Sequence, residues 1–113
     1  MAKGWLRALA ETPALTGAVE IVGLVDVDLS AAKALAEEFS LTDAVTGSDL
    51  NAVLEATRPD LVFDIVVPSA RHRVVSTALA YGCHVLSEKP MAASLEEAED
   101  LIALARRAGR VHA

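Results

Sequence analysis

The sequence predicts an α/β domain built as a doubly wound parallel sheet, and three observations predict it. Helical and strand patterns alternate along all 113 residues, the strand signals are near-continuous apolar runs, and 53% of residues are hydrophobic while only 4% are aromatic. Near-continuous apolar strands imply a sheet covered on both faces. The right-handed crossover rule then sets helices on either side of it. A chain of this length holds one domain with a real core but not two.

The elements follow in order. Residues 3–11 read as a helix with Trp5, Leu6 and Leu9 on one face, broken by Pro13 and Gly17. Residues 19–25 form an apolar strand run ending at Asp26. Residues 30–39 read as a helix whose buried stripe is Leu35, Ala36 and Phe39, and residues 44–46 as a short edge strand. Ser48 is placed to cap a helix through Ala56, which Pro59 ends. Residues 61–67 give the most apolar strand signal, closed by Pro68. A helix over residues 71–81, a stop at Gly82 and a strand over residues 84–87 come next. Ser94 with Glu97 three positions on is a capping-box pattern for a last helix, which runs to Ala108 with Gly109 as its C-cap. Residues 110–113 begin another strand.

Composition excludes several classes of partner. A formal net charge of −6 argues against a nucleic-acid backbone or an anionic membrane. No apolar run is long enough to span a bilayer, and Met1 is followed by a polar amphipathic start, not a signal-peptide core. The single cysteine, Cys83, excludes an internal disulfide and a cysteine-rich metal site, so no metal is expected. A reducing cytoplasm is the expected compartment, with Cys83 a small buried filler.

Open parallel sheets put their ligands at the carboxyl ends of the strands. Three loops there carry polar residues: Asp26-Val27-Asp28, Pro68-Ser69-Ala70-Arg71-His72 and Ser87-Glu88-Lys89-Pro90. A carboxylate ending the first complete strand, as Asp26 does, can accept both hydroxyls of an adenosine ribose. Asp28 adds a second negative charge that would repel a 2′-phosphate, and no Arg or Lys follows closely, which favours NAD over NADP. Asp28 itself suits the start of the next helix, where an acid meets the positive end of the dipole. In the third loop, Glu88 and Lys89 stand beside a rigid Pro90 turn; as a bare surface ion pair they would be worth little.

The run from Pro59 to Pro68, His72 in the following turn and Gly82 through Ala92 resemble the glucose-fructose oxidoreductase/inositol dehydrogenase/MocA family, in its N-terminal Rossmann domain. The likeness covers nearly the whole chain, and Glu-Lys-Pro after a strand is its most specific part. The resemblance implies an NAD(P)-dependent oxidoreductase that moves a hydride between nicotinamide and the hydroxyl-bearing carbon of a sugar, polyol or similar small molecule. It puts Lys89 at the chemistry, with Glu88 orienting it and Pro90 fixing the turn in either peptide isomer. A buried ammonium there would stabilise a developing alkoxide and relay a proton. The resemblance also puts His72 near the nicotinamide, with Pro68 and Ser69 in the loop under the dinucleotide. A His packed at a helix start explains His72 equally well, and Arg71, Arg73 and His84 read as surface or capping residues.

The family's domain opens with a strand and a glycine-rich phosphate loop. Here Met1 to Leu6 resemble the last residues of that loop plus the first turn of its helix, with Ala2 at the third small position and both earlier glycines and the first strand absent. The first strand would lie between those ending at Asp26 and Val67, and without it two apolar edges face a gap. The family also continues into a substrate domain, whose sheet commonly forms the interface of a homo-oligomer. The 113 residues alone are therefore expected to be a partial domain that binds cofactor weakly and turns over nothing.

Two rivals stand beside this reading. A phospho-acceptor receiver domain would use Asp64 as its acceptor, Asp26 and Asp28 as its acidic pair and Lys89-Pro90 at its last strand. Only one helix and one strand separate Asp64 from Lys89, where a receiver needs a further strand-helix unit. The other rival is a non-catalytic association module, pairing residues 19–25 or 61–67 with another chain's strand.

Overall fold

The computed structural model describes residues 2–113. The chain forms two compact units, Met1–Thr57 and Arg58–Ala113, each of which is described by itself.

The first unit runs α1 (Ala2–Glu11), β1 (Gly23–Val25), α2 (Leu29–Glu38), β2 (Val45–Gly47) and α3 (Leu50–Thr57). β1 and β2 pair in parallel, with Gly23 opposite Val45 and Val25 opposite Gly47. Only the last three residues of the predicted 19–25 run join the ladder, although the Val22 carbonyl still accepts the Val45 N–H at 3.0 Å. The edge strand sits one residue later than expected. On α1 the predicted apolar face buries Leu6, while on α2 Ala32 is the buried residue and Leu35, Ala36 and Phe39 are half-buried. Asp49, not Ser48, caps α3: its carboxylate accepts the Asn51 N–H at 3.0 Å. The carboxylate reaches the N2 amide that a cap must satisfy.

α3 lies close against the ladder because both strands carry glycine where its Val53 arrives. A Cβ on Gly23 would stand 2.8 Å from Val53 Cγ1, and one on Gly47 only 2.7 Å from Val53 Cγ2. Val53 and Leu54 are accordingly buried.

The second unit runs β3 (Leu61–Asp64), α4 (Pro68–Ala80), β4 (His84–Ser87) and α5 (Leu95–Ala108). β3 and β4 are parallel, in a register that sets Asp64 opposite Ser87. Val85 bridges in parallel to His112, so residues 110–113 do begin another strand beside β4. β3 stops at Asp64, three residues short of the predicted end, and Pro68 opens a helix instead of merely closing a strand. Proline suits a first helical position, since its absent N–H would have had no helical partner and its φ is already helical.

Helix α4 buries Arg71, Val74, Val75, Ala78 and Leu79, a spacing of i, i+3, i+4, i+7 and i+8 that forms one continuous stripe. Leu101 and Ala105 of α5 are the buried counterparts on the neighbouring helix. Ser94 caps α5 by accepting the Glu97 N–H at 3.2 Å, while Glu97 reaches back to the Ala93 N–H at 3.3 Å. Gly109 ends the helix at φ 65°, a left-handed cap that a Cβ would disfavour. Cys83 is buried, with Sγ 3.3 Å from the Pro59 carbonyl, and burial raises its thiol pKa above the ordinary value. Among the described residues no helix is long and apolar enough to cross a membrane.

Candidate functional site

In the first unit the polar feature lies just beyond β1. The Asp26 N–H donates to the Gly47 carbonyl at 3.1 Å, which fixes the residue to the end of the ladder. Its side chain is exposed, and Oδ1 accepts the Asp28 N–H at 2.9 Å. Asp28 has a different task. Its carboxylate accepts the Ser30 hydroxyl at 2.6 Å and the Ser30 N–H at 3.0 Å, as the N-cap of α2. Those bonds hold its pKa below the ordinary carboxylate value, the hydroxyl contributing most. The division of labour expected between the two aspartates thus holds for Asp28. Asp26 keeps an exposed carboxylate oriented by one backbone bond.

In the second unit the register of β3 and β4 assembles a buried polar cluster. Asp64 and Arg71 are each 1% exposed. Arg71 Nε donates to Asp64 Oδ2 at 2.6 Å, and the Ser87 hydroxyl reaches the same oxygen at 2.8 Å. Asp64 Oδ1 accepts the Val66 N–H at 3.2 Å. The remaining arms of the guanidinium go to backbone: one Nη donates to the Val66 carbonyl at 2.6 Å and the other to the Pro90 carbonyl. Nothing charged is left unpartnered, the condition on which a buried ion pair is tolerated.

Ser87 extends the cluster to His112, whose Nε2 lies 3.0 Å from its hydroxyl oxygen. Serine has a single proton, which Asp64 takes, so His112 Nε2 must carry its own and donate. Nδ1 is buried with no hydrogen-bond partner among the described residues. Burial pushes the His112 pKa down from the ordinary value, with Asp64 opposing the shift and Arg71 reinforcing it.

The turn after β4 hangs on this cluster. The Glu88 N–H donates to the Asp64 carbonyl at 2.9 Å. The half-buried Glu88 side chain accepts the Lys89 N–H at 3.2 Å, so it braces the turn's backbone. The Lys89–Pro90 peptide is cis. Lys89 is exposed, whereas the expected ammonium was a buried one; the turn carries it outward from the cluster.

The other expected residues separate. Pro68 and Ser69 are exposed in the first turn of α4, whose N-cap Val67 makes no side-chain cap bond. His72 points at the neighbouring helix: Nε2 stands 2.6 Å from Asp100 Oδ2 on α5. His72 is thus paired with Asp100 at a partly exposed position between α4 and α5. Arg71 was expected at the surface and is buried instead. Its signal was present, since it opens the stripe of Val74, Val75, Ala78 and Leu79, and Asp64 interrupts an otherwise apolar strand. Asp64 is also enclosed where a phospho-acceptor must be open. His84, likewise expected at the surface, is half-buried and accepts the Val111 N–H on Nδ1 at 3.0 Å.

Parallel strands joined by helices, with polar turns after each strand, define a dinucleotide-binding α/β fold of the Rossmann type. Comparison with known proteins makes the family definite. The chain belongs to the Gfo/Idh/MocA group, an oxidoreductase family with an NAD-binding Rossmann fold, whose model matches residues 2–113. A D-glucoside 3-dehydrogenase of Escherichia coli (strain K12) is 38% identical over 94 residues, covering 82% of this chain and 26% of the relative. The solved myo-inositol dehydrogenase from Lactobacillus casei, in complex with NAD(H) and myo-inositol, superposes with a TM-score of 0.82 at 30% identity, covering 95% of this chain and 30% of that one. A 3-ketoreductase from Actinomadura kijaniata, in complex with TDP-benzene and NADP, superposes with a TM-score of 0.78 at 30% identity, over 93% of this chain and 31% of that one. The chain thus spans about a quarter of the length of its curated relative.

Proposed function

We propose that this chain is the cofactor-binding part of a cytoplasmic NAD-dependent oxidoreductase that acts on a hydroxyl-bearing carbon of a sugar, polyol or cyclitol. The observation that carries the reading is the match of an NAD-binding oxidoreductase fold to residues 2–113. The substrate class follows relatives named for D-glucoside, D-xylose and inositol oxidation.

The residues on hand suit the cofactor. Asp26 offers an exposed carboxylate at the carboxyl end of a parallel strand, with one oxygen already oriented by the Asp28 amide. Such a group accepts the two ribose hydroxyls of NAD and repels a 2′-phosphate. Pro68 and Ser69, in the uncapped first turn of α4, offer backbone to the dinucleotide. Glu88 and Pro90 shape the turn that presents Lys89. His72, oriented by Asp100, stands one turn into α4 on the nicotinamide side of the cofactor.

When bound, NAD supplies the hydride acceptor. With NAD held there, the Lys89 ammonium would donate a hydrogen bond to the reacting oxygen, stabilise the alkoxide character that grows on it, and relay the hydroxyl proton to solvent, giving up one proton as it gains another. In the reverse direction the same ammonium donates the proton. Its exposed side chain keeps the solvent route open.

Titration calorimetry of the complete protein with NAD and with NADP tests the cofactor side. NAD should bind more tightly, by roughly tenfold or more, and Asp26→Ala should remove most of that preference by weakening NAD and relieving the repulsion of NADP. Equal affinities in the parent protein, or an Asp26→Ala variant with unchanged preference, would contradict the assignment.

A further inference from the structure

We infer that Arg71 is a positioning residue for Lys89, holding the Glu88–Lys89–Pro90 turn by the Pro90 carbonyl while Asp64 fixes its guanidinium. The inference rests on the reading that puts Lys89 at the reacting hydroxyl.

Lys89 is bracketed. On its amino side the Glu88 N–H is tied to the Asp64 carbonyl at 2.9 Å. On its carboxyl side Pro90 has no N–H, and its carbonyl accepts from Arg71 Nη1. Asp64 and Arg71 are themselves joined at 2.6 Å, so the buried ion pair holds the carboxyl flank of the exposed lysine while the main chain of the β3–β4 ladder holds its amino flank. The second Nη reaches the Val66 carbonyl at 2.6 Å, extending the clamp to the loop between β3 and α4. A flexible turn alone would leave Nζ to wander, and an error of about 1 Å at a reacting group can cost on the order of 100-fold in rate.

Only a planar, multidentate cation fits this task. Arginine spans a carboxylate and two carbonyls in fixed directions, whereas a lysine ammonium is a single point on a flexible stem. Arg71→Lys therefore keeps the charge opposite Asp64 but releases at least one carbonyl. The rival explanation, that the pair serves folding alone, predicts a different outcome in kinetics.

The experiment is a double-mutant cycle in the complete protein, with Arg71→Lys, Lys89→Ala and both together, read by kcat, KM for substrate and cofactor, and thermal melting. Arg71→Lys is expected to lower kcat by about tenfold or more with cofactor KM changed less than about threefold. In the Lys89→Ala background the same change should cost less than about twofold, because the group being positioned is gone. An unaltered kcat in a folded Arg71→Lys variant, or an equal loss in both backgrounds, overturns the positioning role. Lys89→Ala with unchanged kcat instead overturns the reading of Lys89 itself, and the positioning claim with it. If Arg71→Lys fails to fold, Asp64→Leu/Arg71→Met removes both charges together, a replacement that buried pairs commonly tolerate. It should fold and show the same kcat loss, and retention of the wild-type kcat overturns the proposal.

Discussion

At the scale of single residues, what decides a role is where each proton and charge can go. Asp26 and Asp28 lie two positions apart, yet Asp28 caps a helix through its Oδ1 while Asp26 Oδ1 accepts only the Asp28 N–H. Asp28 could be assigned from the sequence because capping is local chemistry. Arg71 could not be assigned so directly, because its partners Asp64 and Pro90 are brought to it by strand register and a distant turn. Lys89 was legible through the motif around it, whereas its exposure was not. His112 carried no signal in the sequence, since its bond to Ser87 and its burial follow only from the strand register. It also gives a pH prediction. Its folded pKa lies below the ordinary 6.5, so the unfolded chain binds more protons, and stability is complete above about 6.5 and lost as pH falls through the lower folded value. Urea unfolding should show a drop in midpoint between about pH 7 and about pH 5 that is smaller in His112→Gln. An identical drop in both proteins would assign the acid sensitivity elsewhere.

At the scale of elements, helices were read from the sequence more faithfully than strands. α1, α2 and α5 begin and end within about two residues of expectation because caps and stripes are local signals. Strands 19–25 and 61–67 were overread, since apolar composition persists beyond the residues that actually pair. Pro68 had two lawful meanings, the end of a strand or the start of a helix, and tertiary packing of α4 selected the second. The glycines at positions 23 and 47 were silent in the sequence, yet both make room for Val53. Gly47→Ala should therefore destabilise the first unit by roughly 1–3 kcal/mol through overpacking, and Val53→Ala in the same chain should recover part of that loss. Chemical denaturation of the two single variants and the double checks this. Strictly additive destabilisation would mean that the Gly47–Val53 contact is not the cause.

At the scale of the whole molecule, the sequence conveyed fold class and family through alternation and one specific turn. The two parallel ladders and the family match over residues 2–113 agree with it. On the choice between NAD and NADP the sequence offers only a charge argument at Asp26, and relatives of this fold are found with NAD(H) and with NADP. Substrate choice was not legible, because the hydroxyl at which Lys89 is proposed to act is common to every sugar, polyol and cyclitol. The buried Asp64–Arg71 pair adds what the sequence did not convey: the exposed lysine is mounted on an anchored turn. The most direct test of that molecule-wide claim is single-turnover hydride transfer, followed by nicotinamide absorbance, in the complete protein and its Lys89→Ala variant. Transfer should slow by roughly 100-fold or more while NAD affinity stays within about threefold. A variant that transfers hydride at the parent rate would contradict the assignment of Lys89 to the reaction.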